Sequence, residues 1–244
     1  MTVNSEIARR VRDLDADSTE TAEDAQHALT AIGPDVLDDV IAAVPGMGRF
    51  GQLCAIEIFT ALGDLRAADI LISLLNSESD TVRQWAAEAL GELAVERAVP
   101  ALARAYEAFR QRGESPDHSE GEGIRWALTQ LGARRVVLPP RSAALRVSSG
   151  DEAYPLWPTI HLAEIVEDLA AHGQAVLYFQ IWQIGADGRR FWHGASDVDW
   201  DLDRTWTWDR NVAHCRDWAL LAAEAVDTAP GLVASISWIG ATDL

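Results

Sequence analysis

A four-residue phrase recurs through the first half of the chain and limits what it can fold into. Thr60-Ala61-Leu62-Gly63 returns as Glu88-Ala89-Leu90-Gly91, with looser copies at Thr30-Ala31-Ile32-Gly33 and Thr129-Gln130-Leu131-Gly132. The four glycines are separated by 30, 28 and 41 residues. A period of that size marks a repeat that buries its apolar face only against its neighbours. Each glycine follows a segment rich in Ala, Leu, Glu and Arg, with apolar residues three and four apart, which is helical spacing. A glycine at that point is expected to close the helix in the left-handed conformation, which it reaches without a Cβ penalty. The longest gap holds the polar run Gln111 to Gly123, read as an insertion forming a mobile surface loop, with a partner contact as the alternative.

The motif residues point to a family. Ser79-Asp80-Thr81-Val82-Arg83-Gln84-Trp85-Ala86-Ala87-Glu88-Ala89-Leu90-Gly91 resembles the second helix of a HEAT repeat of the short, phycobilisome-lyase-like type. Ala98 to Tyr106, with Val99-Pro100-Ala101-Leu102, resembles that family's first helix. The resemblance covers about residues 20–137 and implies an all-α solenoid, with the first seventeen residues adding a capping helix. It also implies that the second helices line a concave binding side.

Counting back from each glycine shows what would line that side. Positions −9, −5, −2 and −1 (Val82, Ala86, Ala89 and Leu90 in the best repeat) are apolar and expected in the core. Position −6 is His27, Glu57, Trp85 and Trp126 in turn, and position −3 is Thr30, Thr60, Glu88 and Thr129. Residues three apart share a helix face, so the two positions form ladders across successive repeats. His27, Glu57, Trp85, Glu88 and Trp126 are the candidate groove. The other reading of Trp85 and Trp126 is packing between repeats.

The texture changes near residue 140. Leu138 to Pro158 carries Pro139, Pro140, Ser148, Ser149, Gly150, Pro155 and Pro158, and residues 138–158 read as a linker. Residues 1–137 then form the solenoid and 159–244 a small α+β domain of no recognised family. Eight of the ten tryptophans lie between Trp157 and Trp238. A helix is expected from Pro158-Thr159 to Gly173, and a strand buried on both faces over Gln174 to Ile184. A second strand is expected over Arg189 to Ala195, and a half-buried one over Asp197 to Asp203, where aspartate alternates with apolar residues. A helix from Asp209 to Val226 and a strand from Leu232 to Ile239 complete an antiparallel sheet under two helices.

Sharper chemistry in this half meets objections. Asp197, Asp199, Asp201 and Asp203 invite a cation, but same-side residues on a strand lie about 6.6–6.8 Å apart, too far for one ion to take them all. The EF-hand pattern fails too, with Leu202 where glycine belongs and Trp208 where glutamate belongs. An acidic, aromatic partner face built from Asp197, Asp199, Trp200, Asp201 and Asp203 is the candidate kept, beside a plain solvated strand face. His214 and Cys215 are sequence neighbours about 100° apart on a helix, so they form no dyad, and Cys215 reads as core. No catalytic motif, metal site or cofactor site is expected.

Charge bounds the partners. The chain has 38 acidic and 20 basic residues, every base is arginine, and the formal net charge is −18. The imbalance holds in both parts, with 23 acids against 13 arginines before residue 138 and 15 against 7 after it. Phosphate backbones and anionic membranes are disfavoured partners. Absence of lysine fits a GC-rich bacterial coding bias. Two cysteines make no disulfide framework, and the first residues lack an apolar leader run, so a cytoplasmic protein is expected. The leading expectation is a non-enzymatic interaction module, in a concrete version an acidic immunity- or inhibitor-type protein that captures a basic partner such as a toxin. The alternatives are a HEAT-repeat enzyme, resembling DNA-alkylation-repair glycosylases or bilin lyases, and a ligand-sensing regulatory adaptor.

Overall fold

The computed structural model describes residues 3–115, 118–135, 137–147, 155–185, 187–196, 202–203 and 205–243. The chain divides into two compact units, with the break after Arg135.

The first unit is a stack of helix pairs. Its helices are α1 (Val3–Asp13), α2 (Thr19–Ile32), α3 (Leu37–Ala43), α4 (Arg49–Leu62), α5 (Ala68–Leu74), α6 (Asp80–Glu92), α7 (Val99–Arg112) and α8 (Ser119–Gln130). The even-numbered helices form one layer, α2 against α4, α4 against α6 and α6 against α8, and each is flanked by the helix before it. The helix starts are written in the sequence. Ser18 and Ser79 accept hydrogen bonds from the backbone N–H groups of Thr21 and Val82, satisfying donors the first turn leaves open. Asp15 caps α4 from 33 residues upstream, its carboxylate accepting from the N–H of Gly48 at 2.9 Å. The repeat also recurs in ion pairs. Arg66 pairs with Asp38 and Arg97 with Asp69, each bond spanning 28 residues and tying one repeat to the next.

In the α6 repeat the expected core positions are buried, with Val82, Ala86, Ala89 and Leu90 at most 2% exposed, but in the neighbouring repeats positions −2 and −1 open outward, and Ala31, Ile32 and Ala61 are exposed. Three of the four glycines take the positive φ expected of them, Gly33 at +93°, Gly63 at +65° and Gly132 at +68°. Gly91 does not. The helix α6 runs through it to Glu92, and the left-handed residue is Ala94 at φ +52°. The N–H of Val95 donates to the carbonyl of Leu90 and that of Ala94 to the carbonyl of Gly91, the paired bonds of a Schellman end. Gly91 is needed for room instead: a Cβ there would stand 2.7 Å from the Trp126 ring and 3.0 Å from the Ala127 Cα.

The polar run Gln111–Gly123 is helical at both ends rather than an inserted loop throughout. The helix α7 extends to Arg112, α8 begins at Ser119, and Glu120 is 1% exposed. Its carboxylate accepts two hydrogen bonds of 2.7 Å from Arg83 and one of 2.7 Å from Arg112. Burial alone would raise this carboxyl, but the hydrogen bonds and charges of the two arginines hold it below the usual glutamate range.

The second unit is α+β. It contains α9 (Pro140–Leu145), β1 (Leu156–Pro158), α10 (Leu162–Ala171), β2 (Ala175–Ile184), β3 (Arg190–Ser196), α11 (Trp208–Ala225) and β4 (Leu232–Ile239). The sheet is antiparallel in the order β1-β4-β2-β3, and α10 and α11 pack on β2 and on each other. Much of the stretch read as a linker is part of this unit. Leu138 and Leu145 pack on its core, Trp157 is fully buried, and the Trp157 indole N–H donates to the Ser142 carbonyl at 2.7 Å. Ser142 in turn donates from both N–H and hydroxyl to Asp168. Proline content signalled turns here, and the buried tryptophan outweighs it. Strand β2 is also less buried than expected: Leu177, Phe179 and Ile181 are buried, while Tyr178, Gln180 and Trp182 on its other face are half-buried. Of the expected aspartate strand, residues 197–201 lie outside the described residues, and Leu202 and Asp203 are not in a strand.

Candidate functional site

The layer of even-numbered helices holds a cavity of about 550 Å³. The helix α2 contributes Gln26 and His27, α4 contributes Ile56, Glu57, Thr60 and Ala61, and α6 contributes Trp85, Glu88, Ala89 and Glu92. Four of the five groove candidates, His27, Glu57, Trp85 and Glu88, thus lie around one opening. Helical periodicity brings them there, since −6 and −3 share a face on each helix and consecutive repeats place those faces side by side. The ladder omitted Ala61 and Ala89 at position −2, which was assigned to the core, and residues one further turn away in either direction. Position −7 supplies Gln26 and Ile56, four residues before −3, and Glu92 lies four residues after Glu88.

Trp126 is placed differently. Like Trp85 it is half-buried and packs on the core of the first unit, but its Cζ3 faces Gly91. It is not among the residues lining the cavity. Its placement is the inter-repeat packing that stood as the alternative reading of this position.

The electrostatics of the cavity are one-sided. Glu57 and Glu92 are exposed, while Glu88 is half-buried. Among the described residues no arginine pairs with any of the three, although acids elsewhere in the unit are paired, including Asp38, Asp64 and Glu120. Burial pushes the Glu88 carboxyl above the ordinary glutamate value, Glu122 and Glu92 push the same way, and a hydrogen bond of 3.0 Å from the Gln84 amide opposes them. The threonines at −3 face inward to their own helices. Thr30, Thr60 and Thr129 each donate to the carbonyl four residues back, at 2.8–3.0 Å. The Thr60 oxygen therefore offers the cavity acceptor capacity only.

The second unit holds little of the acidic face expected there. Asp197, Asp199, Trp200 and Asp201 lie outside the described residues. Asp203 is described, and its carboxylate accepts from the N–H and hydroxyl of Thr205 at 2.8 and 2.6 Å, which lowers its pKa. It shapes the turn before α11, where Asn211 bonds back to its carbonyl. Surplus aromatics do reach the surface: Trp192 is 59% exposed and Trp218 45%. Trp206 carries the Arg210 guanidinium 3.9 Å from its ring centroid and meets the His214 ring at right angles, 5.2 Å between centroids. Cys215 is fully buried, and burial pushes its thiol up to about 12; Cys54 rises to about 11 for the same reason. Both are thiols at neutral pH and poor nucleophiles. Among the described residues no three His, Cys, Asp or Glu side chains converge on a metal position, and no helix is long and apolar enough to cross a membrane.

The stacked pairs define the first unit as a helical-repeat protein of the interaction-scaffold kind. More particularly, residues 52–111, from α4 to the end of α7, match the family model for HEAT repeats. No curated protein matches the chain.

Proposed function

We infer that the protein is a non-enzymatic capture module whose HEAT groove binds a basic protein, in the manner of an acidic inhibitor or immunity-type protein. The observation that carries this reading is the acid trio Glu57, Glu88 and Glu92, paired with no arginine among the described residues and gathered around Trp85 in one cavity. Stacked repeats present extended surfaces to partners. Aromatic side chains in pockets are the residues that most often anchor such contacts. The formal charge of −18 adds long-range steering toward a cationic partner.

A labelled 14-residue peptide of alternating arginine and alanine, titrated with the full chain and followed by anisotropy, tests the reading. Binding should weaken steeply between low salt and about 0.15 M, where the Debye length is about 8 Å. Reversing Glu57 to arginine should weaken it far more than the same reversal at Glu224, an exposed acid on α11. Equal effects at the two places would mean that net charge, not the groove, draws the peptide, and the reading would fall.

A further inference from the structure

The cavity on α2, α4 and α6 has a composition that goes beyond a general preference for basic partners. We propose that it is a receptor for a single arginine side chain of the partner, with the guanidinium lying on the Trp85 ring and donating to Glu57 and Glu88. The proposal deepens the capture reading and rests on it.

Three features of the lining select this occupant. The first is its hydrogen-bonding sense. Three carboxylates and the Thr60 oxygen are acceptors, Thr60 having already spent its proton on the Ile56 carbonyl, and they outnumber Gln26 and His27, the lining residues that can also donate. A guanidinium brings five N–H donors in a planar fork and no acceptor. The second is the aromatic wall. Trp85 and Glu88 stand three residues apart on α6, so indole and carboxylate share a face, the pairing that suits a flat cation stacked on one and bonded to the other. The third is desolvation. Glu88 is half-buried, so its partner must shed water to reach it. Guanidinium is weakly hydrated and gives up water more readily than the ammonium of lysine. The volume, about 550 Å³, falls in the range of roughly 300–1,000 Å³ usual for ligand pockets and leaves room for the flanking backbone.

The neighbours of Glu88 add a pH signature. Glu92 lies on its own helix, Glu57 on α4, His27 on α2 and Glu122 on α8, while Gln84 donates a hydrogen bond to it. The acids and burial favour the protonated form, and an entering cation favours the ionised one. Affinity for arginine therefore declines as pH falls through the raised value of Glu88, while Glu88→Gln removes that decline.

The test uses the full chain and three capped peptides, Gly-Ala-X-Ala-Gly, with X as arginine, lysine or citrulline. The reporter is the indole N–H resonance of Trp85, identified by its absence from the Trp85→Phe spectrum. The arginine peptide should shift that resonance saturably. The citrulline peptide, isosteric but neutral, should bind at least about tenfold more weakly. The lysine peptide should be weaker by roughly two- to thirty-fold, the span of a cation–aromatic contact. Glu57→Gln, at an exposed position where folding is not at stake, should weaken the arginine peptide several-fold. Equal binding of arginine and lysine, or a shift spread over several indoles without saturation, would overturn the arginine receptor. The capture reading would survive that result if the alternating peptide still senses charge reversal in the groove. It would fall with the receptor if that peptide does not.

Discussion

Gly91 on α6 and Trp126 on α8 fit so closely that a Cβ on the glycine would stand 2.7 Å from the indole Cζ3. The fit is reciprocal. A Cβ on Gly123 of α8 would stand 2.9 Å from the Glu88 carboxylate of α6. Each helix offers a glycine where the other offers a large side chain, so the two backbones approach closely. This clasp holds Glu88 beside the cavity and commits Trp126 to packing.

Gly91→Ala weighs two opposed effects. Alanine is favoured over glycine inside a helix by about 1 kcal/mol. Here the added methyl also meets the Ala127 backbone, at 3.0 Å from its Cα, and backbone cannot swing aside as a side chain can. Overpacking of this kind costs about 1–3 kcal/mol. A net loss of stability is expected, seen as a lower urea midpoint at unchanged m-value. A raised midpoint would show that α6 and α8 are not in close contact here.

Ala94→Gly should act in the opposite direction. Ala94 is exposed and holds φ at +52°, where an L-residue with a Cβ is strained by roughly 1–2 kcal/mol. Glycine relieves the strain but adds freedom to the unfolded chain, which returns about 0.4–1 kcal/mol. The net gain lies between about 0 and 1.6 kcal/mol. Thermal or urea denaturation of this variant reads the strain in the α6 end directly.

Two glutamates on neighbouring helices should titrate with opposite effects on stability. The pKa of Glu120 is held below its unfolded value by Arg83 and Arg112. Its contribution is therefore complete above the unfolded value, near 4.5, and is lost as pH falls through the lower folded value. Glu120→Gln leaves Arg83 without its buried partner and should cost about 3 kcal/mol at pH 7. Glu88 has its pKa raised by burial, so its contribution is complete below the unfolded value and is lost as pH rises through the higher folded one. Glu88→Gln should leave stability at pH 7 unchanged or slightly higher. A comparison of urea midpoints at pH 7 for the two variants checks both signs.

The sequence carried the repeat and most of the groove because both are periodic. Position −5 is buried and position −6 turned to the cavity on α6 for the same geometric reason, a helix that repeats every 3.6 residues. What it did not carry were roles that depend on a neighbour in space. Gly91 has the spacing of a helix-closing glycine, and only the Trp126 ring against it shows that it serves as room. Glu120 sits in a polar run, and only Arg83, 37 residues away, makes it a buried residue. Trp157, among prolines and serines, is a core residue of the second unit because of the Ser142 carbonyl that meets its indole. In that unit the strands over Ala175–Ile184, Arg190–Ser196 and Leu232–Ile239 were legible from β-branched and aromatic runs. The three-residue β1 is too short to leave such a pattern.

The sharpest test sets Trp85 against Trp126, which occupy the same position in successive repeats. Trp85 lines the cavity and Trp126 covers Gly91. Truncating a tryptophan at the centre of an interface typically costs about 2–4 kcal/mol of binding, roughly a 30- to 1,000-fold loss of affinity. Truncating one that packs between repeats instead costs stability, about 3–5 kcal/mol when fully buried and less for the half-buried Trp126. Trp85→Ala should therefore weaken capture of the alternating arginine peptide while lowering the urea midpoint only modestly. Trp126→Ala should lower the midpoint clearly and leave affinity intact at temperatures where the variant is folded. Measuring both quantities on both variants separates binding from packing, because either tryptophan alone would leave lost affinity confounded with lost structure. The reverse pattern, with Trp126 governing affinity and Trp85 governing stability, would move the binding surface off the α2–α4–α6 cavity.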